Sequence, residues 1–280
     1  MGRFSELIAD VIRLWGKYHG AYIAGMKNTL LLALIGTIIG VIIGFVCGIL
    51  QTIPVYKTDS PVKKFLLGLL RVVIRVYVEV FRGTPMVLQA VFIYYGLPYF
   101  TYNRMQFSNV WLPAILVVSI NTGAYMAETV RGGIMSIDPG QTEGAKAIGM
   151  SHVQTMLYVI LPQVLKNILP QIGNNFIINV KDTSVMFIIS FTEFFAAHRT
   201  VVGASYLYFP SALVEMVGYL TMTLIASFIL RYWEKMLAGS DSYVLATTDQ
   251  LSPTAGTLNY PKRGSNFDER NLEYKEEDKK

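Results

Sequence analysis

Asn28–Leu50 reads NTLLLALIGTIIGVIIGFVCGIL, an apolar run without a single charged residue. It has the ~20 residues that an α-helix needs to cross a bilayer. In hydrocarbon only a helix or a closed barrel satisfies its own backbone groups, so the run predicts a membrane helix. Gly36, Gly40, Gly44 and Gly48 fall every fourth residue within it. That period places them on one face, where small residues let a second helix approach closely. Cys47, the chain's one cysteine, lies in the same run and reads as a packing residue. A single cysteine supports neither a disulfide framework nor a metal cluster.

Working outward, four further apolar stretches appear: about Val76–Phe100, Val110–Val130, Ile168–Phe195 and Ser211–Trp233. The second is interrupted by Arg82-Gly83-Thr84-Pro85. The fold class expected is therefore an all-α membrane protein of about five transmembrane helices. Composition agrees, because 52% of the 280 residues are hydrophobic and 15% charged, against about 25% charged in a soluble domain. The net charge of +5 does not point to nucleic acid, since the cations sit in short loops between apolar runs. The connectors Gln51–Arg75 and Arg131–Lys166 are rich in bases, whereas Tyr99–Ser108 and Ala196–Pro210 hold one each, Arg104 and Arg199. The positive-inside rule then places the basic loops and the C-terminus in the cytoplasm of a multi-pass protein of the cell membrane. Arg3, Arg13, Lys17 and Lys27, which precede the first span, run against an outside N-terminus.

Three regions follow. Residues 1–20 place Phe4, Leu7, Ile8, Val11, Ile12 and Trp15 at helical spacing with charges opposite, as in a helix lying at the membrane interface. Residues 21–237 form the transmembrane domain, and the second half of its Gln51–Arg75 connector reads as amphipathic and surface-bound. Residues 238–280 are polar, ending in EYKEEDKK, and predict a disordered cytoplasmic tail.

One loop stands apart. Asp138-Pro139-Gly140-Gln141 predicts a helix start, with Asp138 as N-cap, Pro139 at the first helical position and Gln141 closing a capping box. Gly149 predicts a left-handed stop. Ser151, followed three residues later by Gln154, starts a second helix that is expected to end before Pro162. From capping alone, a partner-docking role and local scaffolding are equally supported. Gly144 to Ser151 has the glycine spacing of a phosphate loop, but Met150 stands where a lysine must reach the phosphates.

Glu143-Gly144-Ala145, with Gly149 and Ile160-Leu161-Pro162, resembles the EAA loop of binding-protein-dependent ABC importer permeases. Glu79–Pro85 (EVFRGTP), Gly123–Ile134 (GAYMAETVRGGI), Leu161-Pro162-Gln163 and Lys181-Asp182-Thr183-Ser184 resemble segments of the polar amino acid branch, the histidine, glutamine and arginine permeases. The resemblance spans about Lys27–Leu237, with the motifs in the family's order. Gly144 departs from the usual alanine, and the long Gln51–Arg75 connector and the tail are not standard. The resemblance implies the type I importer permease fold with a cytoplasmic coupling loop. It also implies an ATPase subunit docking on Thr142, Glu143, Gly144, Ala145, Lys146, Gly149 and Met150, a second permease subunit, and an extracytoplasmic amino-acid-binding protein. The chain itself is then no enzyme and binds no cofactor, ATP and Mg belonging to the partner.

An amino acid cargo carries an ammonium and a carboxylate, and polar groups within spans are functional candidates by default. Asn175, Asn179 and Thr183 lie on one helical face beside Asp182 and Ser184. They read either as cargo contacts, with Asp182 facing the ammonium, or as structure, with Asp182 paired to Lys181 or Arg82. Thr84 and Gln89 flank the second-span break, which either opens backbone groups to a cavity or merely kinks the helix. Glu128 and Arg131 read as a pair holding the loop, or else as a cargo site. His19, His152 and His198 lack metal-ligand spacing.

Overall fold

The first proline of the chain is Pro54, and nothing upstream of it forces a helix to stop. In a computed structural model, which describes residues 2–238, helix α1 accordingly runs unbroken from Arg3 to Thr52. It ends where Pro54 drives Ile53 to extended backbone. Ser60 then accepts a hydrogen bond from the Lys63 N–H and Pro61 takes the first position of α2 (Pro61–Gly83). After Thr84-Pro85 come α3 (Met86–Phe100) and α4 (Trp111–Met135). The loop helices α5 (Pro139–Ala147) and α6 (His152–Thr155) lead through a π turn, Met156–Ile160, into α7 (Leu161–Asp182). A 3-10 turn, Thr183–Ile189, precedes α8 (Phe194–Ser205) and α9 (Tyr208–Ala238).

The glycine face of α1 meets α4. Gly36 lies against Val118, Gly40 against Thr122, Gly44 against Met126 and Gly48 against Val130. The contacts advance four residues along both helices together, so α1 and α4 run parallel. A Cβ at Gly40 would sit 2.6 Å from that of Thr122, and one at Gly48 2.7 Å from that of Val130. Such approach is possible only without side chains on one partner.

Among the described residues, α1 and Tyr208–Met236 are long and apolar enough to cross a membrane, and the stretch His152–Ile189 with Phe194–Ser205, bent by 54°, contains a third such segment beyond the loop helix α6. Helix α4 fails on composition because Ser119, Asn121 and Thr122 dilute it, yet all three are buried. Lying parallel to α1, it crosses what α1 crosses. Helices α2 and α3 supply the remaining segment, broken where the sequence places Thr84-Pro85.

Two expected boundaries have no counterpart in the backbone. No break separates residues 1–20 from the first span, and Leu14 and Tyr22 are buried in a core with Phe194, Val201 and Val214. Of the face expected at the interface, Val11 packs against this core, whereas Phe4, Ile8, Ile12 and Trp15 stay exposed. Likewise the second half of the 51–75 connector is the start of α2, since no proline intervenes between Pro61 and Pro85. The tail expected at 238–280 lies, beyond Ala238, outside the described residues.

The molecule has two distinct ends. Gly25 packs on Phe194 and Ala197 of α8, whereas Gly48 packs on Val130, close to where α4 feeds the loop. Twenty-three residues of helix separate these contacts, about 35 Å. At the α8 end, buried polar groups join α1, α8 and α9. Tyr22 Oη and His198 Nδ1 both meet Ser211 Oγ, at 2.7 and 2.8 Å. Glu193 accepts from the N–H groups of Phe195 and Ala196 and from Tyr219 Oη.

Candidate functional site

The loop at the far end is built as two capped helices. Asp138 Oδ1 accepts from the Gly140 N–H at 2.7 Å, with Pro139 inside the cap. Gln141 does not close a capping box as expected. Its side chain instead accepts from Gln163 Nε2 at 3.4 Å, tying α5 to α7. Helix α5 ends in a Schellman motif. The Met150 N–H reaches the Ala145 carbonyl at 3.0 Å and the Gly149 N–H that of Lys146 at 2.9 Å. Gly149 has φ +84°, a conformation that glycine adopts at no steric cost. Ser151 and Gln154 then make the reciprocal capping box that the sequence predicts.

The second helix does not stop before Pro162. The π turn widens the spiral there, its Leu161 N–H bonding to the Met156 carbonyl, and a proline without an N–H is taken into a continuous helix.

Ala145 is buried, whereas Glu143, Gly144, Lys146 and Ile148 face outward and Thr142 and Met150 are half-buried. A Cβ on Gly144 would meet nothing within 4 Å, so alanine would fit there, and the glycine acts only by loosening the helix. His152 lies near Lys146 and, from α2, Lys63. Burial first, then these two cations, hold its imidazole below the usual 6.5.

The polar interior separates into scaffold and open groups. Asn179 is buried and donates to Thr37 Oγ1 at 2.8 Å and Thr122 Oγ1 at 2.9 Å, linking α7 to α1 and α4. Asn175 donates to the Gln171 carbonyl, and Thr183 to that of Val180. At the α2–α3 break, Gln89 Nε2 donates to the carbonyls of Phe81 and Thr84, at 2.9 and 3.0 Å. Asn121 Nδ2 donates to Phe81 as well and to Gln89 Oε1. A broken helix in a membrane frees carbonyls that something must satisfy; here two amides do it. Thr84 is exposed, its hydroxyl donating to the Val80 carbonyl.

Asp182 and Lys181 are exposed on this chain, with Ser184 half-buried. Arg82 forms its ion pair with Glu128, not Asp182. Glu128 also lies 3.9 Å from Arg131, and the Arg82 guanidinium stands over the Tyr125 ring at 5.3 Å. The Glu128–Arg131 pair read from the sequence is thus the longer arm of a three-residue bridge between α2 and α4.

Residues 64–239 match the family model described as binding-protein-dependent transport system inner membrane component. The chain belongs to this family. It is 34% identical over 215 residues to the glutamine transport system permease protein GlnP of Escherichia coli (strain K12), covering 77% of this chain and 92% of that one. To the arginine transport system permease protein ArtQ of Bacillus subtilis (strain 168) it is 34% identical over 165 residues, covering 59% and 74%. A crystal structure of an amino acid ABC transporter with histidines superposes with a TM-score of 0.67 at 34% identity, covering 78% of this chain and 94% of that chain. The inward-facing MetNI methionine ABC transporter shares the fold at 15% identity, with a TM-score of 0.60.

As an ABC importer permease the chain is the non-catalytic membrane component, and ATP hydrolysis belongs to a partner ATPase. Some of the permease's structural polar residues escape the sequence reading. Asn121 carries the usual signal of an amide inside a span, but nothing in the sequence tells that it faces a helix break. Ile148, 79% exposed beside Glu143 and Lys146, is a large apolar group on the loop surface that the motif comparison passes over.

Proposed function

We propose that this permease forms the translocation pathway for a polar amino acid of the glutamine, arginine, histidine, lysine or cystine class. A separate ATPase subunit grips the loop at Thr142–Met150 on the cytoplasmic side. The observation that carries the reading is the construction of that loop. Caps at Asp138, Gly149 and Ser151 stiffen a segment that presents Glu143, Lys146 and Ile148 outward. A stiff, mixed polar and apolar surface transmits a push that a floppy connector would absorb. Relatives named for glutamine and arginine support the cargo class. The base-rich loops support a cytoplasmic position for α5 and α6 and for the C-terminus.

A second permease subunit, the same chain or a related one, stands opposite the face where α7 exposes Gln171, Lys181 and Asp182, with the pathway between the two. Such groups are costly against lipid. Of the pathway candidates, Asp182, Ser184 and Thr84 stand open to cargo, and Asn175, Asn179, Thr183 and Gln89 shape the walls from behind. An extracytoplasmic binding protein delivers the amino acid at the α8 end. Uptake assays in proteoliposomes test this. The chain alone moves no amino acid without ATP, and the complex with its ATPase does. Robust uptake by the isolated chain in ATP-free vesicles overturns the reading.

A further inference from the structure

At the loop-bearing end a cleft of about 420 Å³ opens between α1, α2 and α4, lined by Gln51, Arg71, Arg75, Glu79, Glu128 and Arg131. Arg71, Arg75 and Glu79 are spaced by four, so they form one stripe of α2. The residues beside that stripe, Leu69, Val72 and Val76, are exposed and apolar, as a lipid-facing surface is. Arg82 holds Glu128 from the cleft's edge. Four arginines against two glutamates leave an excess of positive charge.

These cations are only partly used. Arg71 donates through Nη2 to the Ile53 carbonyl, while its Nε is buried with no hydrogen-bond partner. Arg75 makes no ion pair among the described residues. A buried guanidinium N–H left unsatisfied is costly, and a phosphate oxyanion matches the arginine fork. We propose that this cleft binds a phosphate-bearing anion, and that its occupant is the headgroup of an anionic phospholipid in the leaflet at this end. The acyl chains lie on the adjoining apolar face of α2. Basic pockets between membrane helices take lipid headgroups in this way.

The test uses the full-length chain in neutral detergent, with its melting temperature and bound lipid followed by thermal shift and native mass spectrometry. The probes are phosphatidylglycerol, phosphatidylcholine and inorganic phosphate. Phosphatidylglycerol raises the melting temperature saturably and phosphatidylcholine does not. The double variant R75Q/R131Q loses at least about tenfold in apparent affinity, and R75K/R131K, which keeps the charge, retains most of it. Arg71 stays in place because it anchors Ile53. Protection by inorganic phosphate with the same arginine dependence supports the site and reassigns it to a free anion. The proposal falls if neither probe protects, if phosphatidylcholine protects equally, or if R75Q/R131Q binds phosphatidylglycerol as the natural chain does.

Discussion

The Asn179 side-chain amide donates to Thr37 Oγ1 at 2.8 Å, across 142 residues of chain and inside the protein. Its other bond, to Thr122, makes it the point where three helices are joined. Asp182, three residues on, is exposed on the same helix. The two residues should therefore fail in different ways. Asn179→Leu lowers the melting temperature, at roughly 0.6–1.7 kcal/mol for each membrane hydrogen bond lost. Asp182→Asn leaves the melting temperature unchanged and weakens transport, of cationic amino acids most. Thermal unfolding in detergent and uptake in proteoliposomes, run on both variants, separate scaffold from pathway. A shared stability loss would refute the division.

Gln89→Ala strips one amide from the α2–α3 break and leaves the Thr84 carbonyl unsatisfied, with Asn121 alone at Phe81. Thr84 itself is exposed, so the loss is that of an ordinary hydrogen bond, about 0.5–1.5 kcal/mol. Gln89→Glu should be no better, because a carboxylate cannot donate to carbonyls. Melting temperatures of the two variants check this, and a neutral Gln89→Ala would show that water does the same work.

Gly40→Val forces a branched Cβ and its two methyl groups into the contact with Thr122. Overpacking of this kind costs about 1–3 kcal/mol, and in a parallel helix pair it separates α1 from α4. Gly16→Val, at a position where an added Cβ meets nothing within 4 Å, is the control. The measurement is the folded yield after detergent extraction, which drops for the first and holds for the second.

His152 titrates below 6.5 because burial and the neighbouring Lys146 and Lys63 disfavour its charge. The sign follows. As pH falls through 6.5 the unfolded chain takes up a proton that the folded loop still refuses, so the folded loop loses stability below that pH. Above it His152 contributes nothing. A ring-carbon NMR titration should give a midpoint below 6.5, and His152→Gln should flatten the acid limb of the melting profile.

Much of this was readable from residue order alone, and the parts that were not share a cause. The glycine face of α1, the cap at Gly149 and the Ser151–Gln154 box are local signals, set by residues within a turn of one another. The continuation of the helix through Pro162 was hidden because a π turn has no sequence signature of its own. Asn179 and Gln89 were readable as polar groups in apolar spans, which is the signal that cargo contacts and helix-joining amides have in common. Only their partners, Thr37 and Thr122 in one case and a freed carbonyl in the other, tell the two apart. Those partners are distant in sequence or belong to the backbone. At residues 1–20 the sequence shows an apolar face, but not that the same helix continues without a break into the first span, since no local stop signal marks residue 20.

Glu143 stands on the exposed surface of α5, inside the segment on which the ATPase is proposed to close. Co-purification of the ATPase with the Glu143→Lys chain, measured together with ATP-driven uptake, addresses the central claim directly. The account predicts a variant that reaches the membrane in normal amount and folds, yet brings down no ATPase and supports no uptake. ATPase recovery and transport equal to those of the natural chain would contradict it.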